Sequence, residues 1–177
     1  DIALANRIAQ VIEWEGLDLL HVHYAMPHAV SAALGKDLAS SDIGMITTLH
    51  GTDVTICGYD PGLKNTVRYG LNKSTIVTAV SESLRQETIE IINPSIEIRT
   101  IYNFIDEKKY HQVNSGTLKS DLHIHPDEKV VIHISNFREV KNIPDVIKGF
   151  KKIRSKIKAK LLLIGDGPEK QKMKVLT

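Results

Sequence analysis

Arg138 and Lys141 stand on a short segment between an apolar run and an amphipathic one. Val130, Val131, Ile132 and Ile134 make the β-branched run, which predicts a strand buried on both faces. Asn142 follows as an N-cap, with Pro144 in the first turn of a helix. The apolar positions of that helix are Ile143, Val146, Ile147, Phe150 and Ile153. Two cations at the carboxyl end of a parallel strand, beside a helix N-terminus, suit an anion such as a diphosphate. The plain alternative is a solvated basic loop.

Histidine supplies the other chemistry. His21 and His23 alternate along an apolar stretch, and His50 precedes Gly51, Thr52 and Asp53. Alternate strand residues point the same way, so a metal-dependent hydrolase is one reading. Against it, no carboxylate or further histidine has evident ligand spacing, and His123-x-His125 falls in a polar stretch. The competing readings are packing ones: satisfied strand histidines, Asp53 as a helix cap, and Gly165 and Gly167 as turn residues. Cys57, between Ile56 and Gly58, reads as a small apolar residue rather than a nucleophile.

These residues must be held by something, and periodicity says what. An opening helix with Leu4, Ile8, Val11 and Ile12 on one side ends near Gly16. Residues 17–23 read as a strand. A helix from Pro27 to about Ala39 should bury Val30, Ala33, Leu34 and Leu38. Residues 43–49 are the next strand, and 61–71 a helix with Leu63, Val67 and Leu71 inward. Residues 75–80 form a strand, after which Ser81 caps a helix carrying Leu84, Thr88, Ile91 and Ile92. A strand at 96–102 follows. Strands alternating with helices at this rhythm mean parallel β/α architecture. Residues 106–127 are polar, with Asn114, Ser115, Gly116 and Pro126 and a short helix around 118–122, and read as a connector. Beyond it come the strand at Lys129, its helix, a strand at 159–164 and the start of another helix.

In open parallel sheets, ligands bind beyond the carboxyl ends of the strands. The distinctive polar residues gather at such ends: His23 and Tyr24, His50 to Asp53, Ser81, Asn103, Ser135 to Arg138, and Gly165 to Gly167.

Composition narrows the class. The 177 residues are enough for a real core, and 42% apolar with 25% charged is ordinary for a globular protein. A formal charge of +2 gives no reason to expect nucleic acid. The late lysines and Arg154 follow the polar side of a helix and read as a solvated face. One cysteine excludes an internal disulfide and suits a reducing, cytoplasmic setting. No apolar run has the ~20 residues of a membrane span. The start, DIALANRIAQ, has no signal-peptide pattern and no initiator methionine, so the chain reads as the interior of a longer protein. Monomer and homo-oligomer are both left open.

TTLHGTD, AVSESL, IYNFID, ISNFREVKN and LLLIGDGPEK, in this order, resemble the family-4 retaining glycosyltransferases of GT-B fold. The resemblance covers essentially the whole chain. It implies an α/β protein with two Rossmann-like domains of parallel sheet facing across a cleft, both incomplete here. Residues 1–105 would be the later part of the acceptor domain, 106–127 the linker, and 128–177 the start of the nucleotide-sugar domain. The segments HVHYAMPHA, GYDPGLK and YNFIDE are closer still to members that transfer N-acetylglucosamine from UDP-GlcNAc to the hydroxyl of L-malate, the first step of bacillithiol synthesis.

The resemblance also implies roles. Arg138 and Lys141 neutralise the leaving diphosphate, and no cofactor or metal is needed. His50 lies beside the donor sugar, with Gly51, Asn103, Ser135, Asn136, Gly165 and Gly167 as further donor positions. Tyr24, Thr48 and Arg68 are placed at the acceptor. Two departures stand out. The family at large has arginine where this chain has Asn136, so the charge is assigned to Arg138. The family's glycine-rich loop and E-x7-E motif fall outside this sequence, which resembles the middle of such an enzyme. A non-catalytic nucleotide-sugar-binding role is the other reading.

Overall fold

The computed structural model describes residues 1–113 and 116–176; Asn114 and Ser115 of the polar stretch, and Thr177, lie outside the described residues. Contacts divide the chain into two compact units, Asp1–Glu107 and Lys108–Thr177.

The first unit opens with α1 (Ile2–Glu15), β1 (Leu19–His23), a helical turn at Ala25–Ala29, α2 (Val30–Leu38) and β2 (Gly44–Leu49). It continues through α3 (Thr52–Thr55), α4 (Lys64–Asn72), β3 (Ile76–Ala79), α5 (Glu82–Ile92) and β4 (Ile98–Thr100). The strands make one four-stranded parallel sheet in the order β1-β2-β3-β4. Each pair is joined by a helical crossover, as parallel neighbours require. Side chains alternate, so Met45, Thr47 and Leu49 of β2 are buried on one face while Ile46 and Thr48 point to the other. On the buried face, Leu49, Val77, Ala79 and Ile98 pack against Val67, Leu71, Leu84 and Ile92 from α4 and α5. Burying a side chain of this size contributes about 1.5–3 kcal/mol. The cap at Ser81 forms as the sequence predicts: Leu84 N–H donates to Ser81 Oγ at 3.1 Å.

Helix faces differ from the apolar stripe. On α2 the buried residues are Ser31, Ala32, Ala33 and Gly35, while Leu34 and Leu38 are 38% and 51% exposed. On α1 they are Ala5, Ala9 and Ile12, and Leu4 is exposed. Close approach is the reason. A Cβ on Gly35 would stand 2.7 Å from Ile8 Cγ2 and 2.9 Å from the Ala5 carbonyl oxygen, so the two helices meet through small residues.

The second unit contains α6 (Leu118–Asp121), β5 (Lys129–Ile134), a 3-10 turn at Glu139–Lys141, α7 (Ile143–Arg154), β6 (Ala159–Ile164) and α8 (Lys170–Leu176). β5 and β6 pair in parallel, and Phe137, Ile143, Ile147 and Met173 form a core with Leu161 and Leu163. β5 is not buried on both faces. Ile132 and Ile134 are 55% and 71% exposed, because the helices cover only the face that carries Leu161 and Leu163. Asn142 also departs from expectation. It adopts a left-handed conformation (φ 44°, ψ 45°) and makes no side-chain cap bond to the helix backbone. Its Nδ2 instead donates to Asp145 Oδ2 at 2.8 Å.

Candidate functional site

β1 and β2 bring the histidines together. The parallel register sets His23 beside Thr48, and Thr48 beside Thr78 on β3. His21 Nε2 lies 2.9 Å from Thr48 Oγ1, which lies 2.8 Å from Thr78 Oγ1. A hydroxyl has one proton and two lone pairs, so Thr48 keeps capacity for one further hydrogen bond. Beyond the strand ends, His23 Nδ1 meets His50 Nε2 at 2.8 Å. The His50 ring neighbours both His23, with centroids 5.0 Å apart, and Tyr24, at 4.9 Å. Tyr24 sits at φ 75° and its N–H donates to the Thr48 carbonyl at 2.9 Å, which carries the β1–β2 pairing one residue past the strand.

Asp53 locks this edge. It is 2% exposed, and its carboxylate accepts from the N–H groups of Ala25 (2.9 Å), Gly51 (2.9 Å) and His50 (3.2 Å). One buried side chain thereby ties the turn after β1 to the turn after β2. Gly51 has φ 130°, which side chains with a Cβ rarely adopt, and nothing occupies the 4 Å around the Cβ it lacks. A depression of about 370 Å³ opens here, lined in part by His21, His23, Thr48, His50, Thr78 and Asn103. It offers imidazole, hydroxyl and amide groups over an apolar floor that includes Ile46 and Ile76.

Arg68 is not brought to this edge. Its Nε donates to the Ile92 carbonyl at 2.6 Å, at the carboxyl end of α5, where the chain turns back toward β4. Among the described residues, no three His, Cys, Asp or Glu side chains are grouped to hold a metal ion. His21 and His23 take Thr48 and His50 as partners instead.

In the second unit, Arg138 and Lys141 are exposed and lie on one turn, closed by Lys141 N–H donating to the Arg138 carbonyl at 2.9 Å. Among the described residues neither side chain is in an ion pair. Ser135 Oγ lies 2.8 Å from His133 Nε2, and Asn136 is exposed. Gly165 and Gly167 seat the loop after β6 against the loop after β5. A Cβ on Gly165 would fall 1.9 Å from the Ser135 carbonyl oxygen, and one on Gly167 2.6 Å from that of Phe137. Phe137 N–H donates to the Asp166 carbonyl at 2.8 Å across the same contact. Lys170 beside Asp166, with help from the Gly167 N–H, holds the Asp166 carboxyl below its ordinary range.

The clamp by Asp53 and the His23–His50 bond are the features that sequence reasoning missed. Asp53 was visible three positions after His50, but its partner Ala25 lies 28 positions away.

Comparison with known proteins gives the arrangement a context. Residues 1–109 match the model of Glycosyltransferase Family 4, and residues 114–177 match that of Glycosyl transferases group 1. The chain is 52% identical over 169 residues to N-acetyl-alpha-D-glucosaminyl L-malate synthase of Bacillus anthracis, covering 96% of this chain and 44% of that protein. It is 31% identical to an uncharacterized glycosyltransferase of Methanocaldococcus jannaschii, covering 89% of this chain and 39% of that one. The chain thus spans less than half the length of these curated relatives. Among solved structures, Anabaena HepE in complex with UDP is similar with a TM-score of 0.79 at 19% identity, over 98% of this chain and 47% of that one. Sucrose-phosphate synthase from Thermosynechococcus elongatus is similar with a TM-score of 0.73 at 17% identity, over 97% of this chain and 45% of that one. These neighbours are GT-B glycosyltransferases, and this chain shares their α/β fold with parallel sheets. No helix of the described residues is long and apolar enough to cross a membrane. With more than half of its length matched by the family model, the chain belongs to glycosyltransferase family 4.

Proposed function

We propose that the intact protein is a retaining hexosyltransferase that moves N-acetylglucosamine from UDP-GlcNAc to the hydroxyl of L-malate, the first step of bacillithiol synthesis. The observation that carries this is the 52% identity, over 96% of the chain, to a protein named for that reaction. HepE, of the same fold, is solved with UDP-glucose, which accords with a UDP-sugar donor. A cytoplasmic setting follows from those substrates.

In this reading, residues 1–105 serve the acceptor, 106–127 link, and 128–177 begin the donor-binding part. Charge develops on the diphosphate as its bond to the sugar breaks, and Arg138 and Lys141 are the cations assigned to it. With that charge met by protein groups and the helix N-terminus, no metal is required. The malate hydroxyl oxygen bonds the reacting carbon on the face from which UDP departs and its proton passes to the departing diphosphate, so the configuration is retained. His50 hydrogen-bonds the donor sugar, and Gly51 lets backbone approach it. Asn103, Ser135, Asn136, Gly165 and Gly167 complete the donor set, the two glycines by shaping the loop. Thr48, with one hydrogen bond to spare, and Tyr24 are assigned to malate.

The test is transfer by the intact protein from UDP-GlcNAc to L-malate, with UDP release followed alongside. His50→Ala should lower turnover about a hundredfold or more, while UDP still binds and a chelator leaves the wild type unaffected. Product on a different acceptor would refute malate. Activity lost to chelator and restored by metal would refute the mechanism.

A further inference from the structure

We infer that His23 is a positioning residue for His50, and that Nδ1 is the His50 ring atom that meets substrate. This deepens the proposed role of His50 and rests on it. An imidazole has two ring nitrogens, and in the neutral ring one donates while the other accepts. His50 Nε2 is committed to His23 Nδ1 at 2.8 Å. Whichever ring carries the shared proton, His50 has only Nδ1 left to offer. The bond also sets what Nδ1 does. If His23 donates, the His50 proton sits on Nδ1, which then donates to a substrate oxygen; if His50 donates, Nδ1 accepts from a substrate hydroxyl.

The surroundings hold this arrangement from several sides. The His50 backbone N–H is bound by Asp53 Oδ1 at 3.2 Å, so the ring swings from a fixed root. The Tyr24 ring is a second neighbour of the His50 ring, with centroids 4.9 Å apart. His23 is itself anchored: its carbonyl accepts from His28 Nδ1 at 2.9 Å, and its ring lies 4.6 Å from that of His21. His23 is exposed and His50 half-buried. A rotamer change at His23 would free His50 to turn and present either nitrogen.

The experiment compares His23→Leu with His23→Asn in the intact protein. The asparagine amide nitrogen reaches about where Nδ1 stands and can still donate to His50 Nε2; leucine cannot. His23→Leu should lower kcat about tenfold, the equivalent of one hydrogen bond, with KM for UDP-GlcNAc little changed. His23→Asn should recover most of that loss. Ring 15N spectra should show one His50 tautomer in the wild type and His23→Asn, and a mixture in His23→Leu. Equal rates for the two variants, or an unchanged His50 tautomer in His23→Leu, would overturn the inference while a slow His50→Ala kept the proposed function intact. Normal transfer by His50→Ala would overturn the role of His50 and this inference with it.

Discussion

Asp53→Asn isolates the clamp at the carboxyl edge of the first sheet, because asparagine matches aspartate in size but accepts through only one terminal atom. Both carboxylate oxygens of Asp53 are used: Oδ2 takes the Ala25 N–H, and Oδ1 takes those of Gly51 and His50. If the amide oxygen keeps the Oδ1 position, its NH2 faces the Ala25 N–H, donor against donor. Turned the other way, it faces two donors. A hydrogen bond to a charged acceptor is worth about 1.5–3 kcal/mol, and an orphaned buried donor costs about 1–3 kcal/mol. Ala25 is 0% exposed, so water cannot substitute there, whereas the half-buried His50 and Gly51 have partial access. The expected cost of Asp53→Asn is therefore about 2–4 kcal/mol. Amide hydrogen exchange in the intact protein measures it where it falls. Peptides covering 24–30 and 48–56 should exchange roughly thirtyfold to a thousandfold faster, with the strands behind them less affected. Urea unfolding gives the global counterpart. Protection unchanged in both peptides would show that the sheet alone holds these turns and that the carboxylate does not.

Three further outcomes are expected. Arg138→Ala or Lys141→Ala should slow transfer about a hundredfold whichever acceptor is supplied, since the lost charge acts on the diphosphate; normal turnover in both would return this turn to a solvated loop. Gly165→Ala should cost more than about 3 kcal/mol, because its Cβ would overlap the Ser135 carbonyl and φ is 148°; a variant as stable as wild type by urea denaturation would contradict the close loop contact. Glu82 is held at a pKa of about 2 by hydrogen bonds from Arg85, Thr100 and Gln86, well below the ordinary 4.5. Its stabilisation is present above the unfolded value and is lost as pH falls from there toward about 2. Glu82→Gln should accordingly flatten the acid side of the stability profile, and an unaltered slope between pH 5 and 2.5 would discount the group.

Much of the architecture was legible from local pattern. The alternation of β-branched runs with helical stripes marks each strand because backbone periodicity acts over a few residues. The cap at Ser81 and the strand at 159–164 were read for the same reason. Helix faces were less legible. Leu34 and Leu38 carry the apolar signal of α2, yet Gly35 and the alanines carry its contact with α1, since closeness is set by the smallest side chains. The apolar run of β5 predicts burial on both faces, but burial depends on what covers each face, and that is not written in the strand.

By itself the sequence determined which polar residues stand at the strand ends, and so which side chains gather at one edge of each sheet. His50, Thr48, Tyr24, Arg138 and Lys141 were all readable in this way, because strand ends are local features. Only the tertiary structure decided how those residues are joined. Parallel pairing of β1 with β2 sets His23 against His50, 27 positions apart, and brings the Ala25 N–H to Asp53. It also takes Arg68 to the end of α5 instead of the site edge. Such contacts depend on register and crossover geometry, which a periodic pattern does not encode. A hydrogen bond needs its two atoms within about 3 Å, and only the folded chain brings them there.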